Sequence, residues 1–94
     1  MHGATLIEKE ELNHYHFPAE DVLKTADARL HRKMELERAT TIGNAHRGKV
    51  KLVFHTREGL REVETTVWAA TESFILLKGE VTIPVHAIEH VVIY

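Results

Sequence analysis

From Gly48 to Tyr94 the apolar residues recur at every second position in short runs, and each run stops at a glycine or a small polar cluster. A period of two confines this half of the chain to β-structure, because successive side chains of a strand face opposite sides. The first run, residues 49–56, sets Val50, Leu52 and Phe54 against Lys49, Lys51 and His55. Glu58-Gly59 marks a turn, and a long second run over residues 60–70 carries Val63, Thr65, Val67 and Ala69 on one face. Thr71-Glu72-Ser73 turns the chain into a short third strand over residues 74–78, and Gly79 into a fourth over residues 81–85. A fifth covers residues 88–94, after Pro84-Val85-His86-Ala87. Five short strands at roughly ten-residue spacing predict a small barrel or a sharply bent antiparallel meander.

The preceding third has the other period. Pro18 suits a first helical turn, and Glu20 and Asp21 follow where carboxylates favour the positive end of the helix dipole. Ala19, Val22, Leu23, Ala26, Leu30 and Met34 recur at three- and four-residue intervals as one apolar stripe. The expected helix spans residues 18–43, with Gly43 as its left-handed cap. Residues 1–17 show no clear period and read as a packed arm or a frayed tail. The chain is expected to be one α+β domain over residues 1–94: arm 1–17, amphipathic helix 18–43, and β-meander or barrel 48–94. Val53, Trp68, Ile75, Leu77, Val91 and Ile93 are apolar on the nominally polar sheet face. The helix stripe is expected to cover part of that face, with Leu30 a core residue, or else a second subunit covers it.

The stretch 48–94 resembles an SH3-like small barrel of the Sm-like kind. A helix precedes a basic alternating strand, a long second and a short third strand follow, and V-T-I-P-V-H-A-I-E-H-V-V-I over residues 81–93 matches the strand, one-turn helix, strand ending. The chain is also similar to small bacterial proteins of no assigned activity. The resemblance implies a five-stranded barrel. Sm-like proteins stack RNA bases on a side chain beside an Asn or Asp in the loops after the second and fourth strands. Here those loops read Thr71-Glu72-Ser73 and Pro84-Val85-His86, without an aromatic–Asn pair, so the resemblance does not carry RNA binding with it.

Composition narrows the chemistry. There is no cysteine, which removes thiol catalysis, disulfides and iron–sulfur ligation. The single serine, Ser73, has only Glu72 beside it and no base in sequence, and the glycines are scattered singly, so no phosphate-cradling loop exists. The expectation is a non-enzyme without catalytic residues or cofactor. Eight histidines stand out, and His86 and His90 have the four-residue spacing of helical zinc pairs. The strand-like residues after His90 argue against a helix there, so no metal site is assigned.

Net charge is −2, but it is distributed as −4 over residues 1–23, +6 over residues 24–61 and −4 over residues 62–94. Arg29, Arg32, Lys33, Arg47, Lys49 and Lys51 form the candidate nucleic-acid surface. Pairing between the acidic and basic segments is the competing account. Trp68, Val91 and Ile93 form the candidate partner surface, Trp68 either as an anchor or as core packing. With no basic start, apolar leader or spanning run, the expected location is a bacterial-type cytoplasm, without membrane association. The favoured function is a small-barrel binding module that engages a protein partner or self-associates through an edge strand. The alternative is an RNA- or DNA-binding barrel using residues 29–61.

Overall fold

The structure, a computed structural model, describes residues 3–94. It is an α+β domain of one main helix and seven strands in two open sheets: β1 (Thr5–Leu6), α1 (Ala26–His46), β2 (Val50–Thr56), β3 (Gly59–Thr65), β4 (Val67–Ala70), β5 (Phe74–Leu77), β6 (Val81–Pro84) and β7 (Ile88–Val92). Two 3-10 segments, Lys9–His14 and Val85–Ala87, complete it. The first sheet has the order β1-β3-β2-β7 and the second β4-β5-β6.

The strand positions follow the period-two pattern, with two corrections. The second strand, expected unbroken, divides at Thr66 into β3 and β4, one in each sheet. The arm adds β1, which runs parallel to β3 through Thr5↔Arg61 and Leu6↔Glu62, so the first sheet is mixed. The arm packs rather than frays: Ile7 and Leu12 are buried in the core, and Tyr15 and Phe17 lie against it. No closed barrel forms among the described residues. The core joins inner-face residues of both sheets, among them Leu52, Phe54, Ile75, Leu77, Ile83 and Ile88, all fully buried.

The helix is corrected at both ends and in its facing. It begins eight residues after Pro18, where Thr25 Oγ1 accepts a hydrogen bond from the Ala28 amide at 3.1 Å. Asp21 cannot open a helix because its carboxylate is engaged elsewhere, accepting the Leu23 amide at 2.9 Å and the Arg32 guanidinium. Gly43 is not the cap. The helix runs through it to His46, and Arg47 takes the left-handed conformation at φ 53°. A glycine is needed at position 43 for a different reason: α1 crosses β4 so closely that a Cβ there would run into the Val67 carbonyl oxygen.

The inward stripe is Arg32, Leu36, Ala39 and Gly43, at steps of four, three and four. Leu30 and Met34 point the other way and are 56% and 57% exposed. Helical geometry places the two sets on opposite sides of the cylinder. Of the expected stripe, Ala26, Leu30 and Met34 lie on the solvent face, and Ala19, Val22 and Leu23 precede the helix. Small residues occupy the true contact because the helix lies tight on β4, and an arginine in that stripe disguised it. The principal contacts of α1 are with β4 and β7, while Val53, fully buried, lies on β2 between Glu62 of β3 and His90 of β7. Leu30→Ala is accordingly expected to change unfolding free energy by less than about 0.5 kcal/mol in urea titration, as at ordinary surface positions.

Candidate binding cleft

Residues 18–24, lacking helix, cross the molecule as a strap held by side chains from two elements, α1 and the second 3-10 segment. Arg32 is 5% exposed and grips Asp21 with both terminal nitrogens, at 2.8 and 2.7 Å. One of these also donates to the Ile88 carbonyl at 3.0 Å, tying α1 to β7. Arg29 Nε donates to the Leu23 carbonyl at 2.9 Å, and the Val22 amide to the His86 carbonyl at 2.9 Å. His86 Nε2 lies 2.6 Å from the Pro18 carbonyl, so that nitrogen carries the hydrogen.

Hydrogen bonds from Arg32, and secondly from the Leu23 amide, outweigh desolvation and hold the Asp21 carboxyl down at about 2, against 3.8 ordinarily. The folded pKa lies below the unfolded one, so the contribution is complete above about pH 5 and is lost as pH falls through about 2. At 1.36 kcal/mol per unit this amounts to about 2 kcal/mol. Urea midpoints measured from pH 5 to 2 should fall more in the wild type than in Asp21→Asn.

With Arg32 so fixed, the helix face beside it forms one wall of a cleft of about 410 Å³. Arg29, Lys33, Leu36 and Glu37 continue that wall; Ala70, Thr71 and Glu72 form the opposite lip, and Val85 closes one end. The lip is rigid. Thr71 Oγ1 accepts from the amides of Ser73 and Phe74 at 3.2 and 3.1 Å, and the Thr71 amide donates to the Phe74 carbonyl at 2.9 Å. The Val85 amide reaches the Ser73 carbonyl at 2.9 Å, fixing the turn to the start of the second 3-10 turn. Leu36 gives an apolar floor, 3% exposed. Leu30, Met34 and Phe74, three of the five exposed large apolar side chains of the described residues, do not line the cleft.

The sequence candidates fall as follows. Trp68 is half-buried at a bulge in β4, its carbonyl accepting Asn44 Nδ2 at 3.3 Å. Val91 is buried at 9% exposure and Ile93 packs on the core, so neither offers a free apolar surface. Of the basic set, Arg29, Arg32 and Lys33 come together at the cleft, Arg32 already neutralised by Asp21. Arg47 is about 27 Å along the helix from Arg29, Lys49 lies exposed beyond it, and Lys51 is paired with Glu62.

The histidines are dispersed among carboxylates. His55 Nε2 and His90 Nδ1 flank Glu89 at 2.8 and 3.2 Å, and His16 Nδ1 meets Glu58 at 2.7 Å. The His16 amide, then its ring, draws the Glu58 carboxyl down to about 2. His86 is turned away from His90 onto the strap. Among the described residues no three His, Asp or Glu side chains converge as metal ligands, and no helix is long and apolar enough to cross a membrane.

The cleft itself escaped sequence reasoning, because it joins residues 29–37, 70–72 and 85. Leu30 and Met34, expected in the core, do not line it. No family model, curated protein or solved structure matches the chain.

Proposed function

We propose that the chain is a non-enzymatic binding module of the SH3-like small-barrel kind that engages a protein partner through the cleft beside α1. The barrel reading is supported by the single residue, Thr66, between β3 and β4. Taken as one bent strand, they give the order β7-β2-β3/β4-β5-β6, with a 3-10 turn leading β6 into β7. The observation that carries the function is the cleft of about 410 Å³ itself, with Leu36, Ala70 and Val85 as apolar lining and Arg29, Lys33, Glu37 and Glu72 around it. Concave, largely apolar sites with a few polar groups are where ligands and partner segments bind. A protein is favoured over nucleic acid because Arg32 and Lys51 are already paired with carboxylates and the remaining cations are spread along the helix.

Pull-down from the native host tests this. Wild-type chain should retain a partner that the Ala70→Phe variant, which fills the cleft, loses while melting at the same temperature. Equal recovery by both would move the binding surface elsewhere.

A second reading, self-association, has its own support: among the described residues β6 and β7 each pair on one side only. Such edges invite strand addition. Sedimentation equilibrium at tens of micromolar should then show a dimer or larger species, lost in Val92→Lys; a strictly monomeric mass excludes it.

A further inference from the structure

We propose that the cleft selects a short extended segment in which one acidic and one basic residue flank apolar side chains, an inference that rests on the protein-binding reading above. The charges around the cleft are segregated. Arg29 and Lys33 stand at one end of the helical wall, with Glu37 one turn farther on and Glu72 on the opposite lip. Arg32 adds no free charge, since Asp21 holds both its terminal nitrogens. Arg29 commits its Nε to the Leu23 carbonyl and a 3.5 Å contact with Asp21, so its terminal nitrogens are unengaged. Lys33, Glu37 and Glu72 make no ion pair among the described residues, although Lys33 and Glu37 are four apart on one helix. The fold thus holds two cations and two anions around an apolar floor and leaves their partnering to whatever enters.

Spacing sets the ligand. Lys33 and Glu37 are about 6 Å apart along the axis, and Arg29 and Glu37 about 12 Å. An extended chain advances about 3.3 Å per residue, so opposite charges two to four residues apart match the two ends. Between them, apolar side chains meet Leu36, Ala70 and Val85. The volume, about 410 Å³, falls within the usual ligand-pocket range of about 300–1,000 Å³. Both walls are fixed by hydrogen bonds before binding, which lowers the ordering cost of association.

Fluorescence anisotropy with four labelled, end-blocked peptides tests the inference: GELLKG, GELLEG, GKLLKG and GQLLQG. GELLKG should bind at least about threefold more tightly than each of the others, the effect of one or two partly exposed ion pairs. Charge reversal should redirect the preference. Glu72→Lys should favour GELLEG, and Lys33→Glu should favour GKLLKG; both positions are exposed, so neither change threatens the fold. Ala70→Phe, which fills the cleft from the lip, should abolish binding of all four. Equal affinity for the four, or binding of none, overturns the inference. The binding-module reading is judged separately, by whether the Ala70→Phe variant still retains the host partner.

Discussion

Asp21→Ala is expected to lower unfolding free energy by about 3–5 kcal/mol, the usual consequence of stripping one partner from a buried ion pair. The Arg32 side chain is 5% exposed, and its Nε already lacks a hydrogen-bond partner. Without Asp21 its cationic head keeps only the Ile88 carbonyl, and the charge remains where water cannot reach it. The loss exceeds the roughly 2 kcal/mol expected from acidification, because a protonated carboxyl still accepts a hydrogen bond from arginine whereas alanine offers nothing. Adding Arg32→Leu to Asp21→Ala should recover most of the stability, since an apolar side chain of similar reach tolerates the site. Equilibrium urea unfolding of both singles and the double completes the cycle. Additive losses would mean that the two residues do not act as a pair.

Gly43→Ala should reverse the ordinary sign of its substitution. At an open helical position alanine replaces glycine with a gain of about 0.5–1 kcal/mol. Here the added methyl meets the Val67 carbonyl oxygen and, at 3.1 Å, Thr66 Cγ2. The first of these is backbone and cannot rotate away, so α1 must lift from β4 along its whole contact. The expected cost reaches or exceeds the upper end, about 3 kcal/mol, of ordinary overpacking. Thermal melting monitored by circular dichroism reads it. The shift carries a second consequence: Leu36 and Lys33 lie on the same helix, so the cleft widens and the GELLKG preference should weaken with the stability. A neutral or stabilising Gly43→Ala would show that the helix does not rest on β4 as described.

These two sites explain why the sequence was legible in some places and not in others. The strands could be placed because β-structure writes itself in alternation: Val50, Leu52 and Phe54 are fully buried, as their spacing requires. A helix exists over Ala26–His46, overlapping the expected 18–43, but the inward side could not be chosen by hydropathy. Arg32 and Gly43 occupy the buried stripe, one for its pairing with Asp21 and the other for lack of a side chain, and neither scores as core. Leu30 and Met34 score as core and face solvent. The start of the helix was missed because Pro18, Glu20 and Asp21 satisfy every local rule for an N-terminus, while the Asp21 carboxylate is claimed by Arg32, eleven positions later. The break at Thr66 left no local mark, since an alternating run of eleven residues reads the same whether it stays in one sheet or bends into another. The cleft depends on all of these tertiary choices together.

The most direct test of the binding cleft is site-directed photo-cross-linking in host extract. A benzophenone amino acid at position 33, on the cleft wall, should form an adduct with a host protein. The same group at position 46, in the last turn of the same helix and about 20 Å away, should not form it. Adduct of equal yield at both positions, or adduct at position 46 alone, would contradict the account.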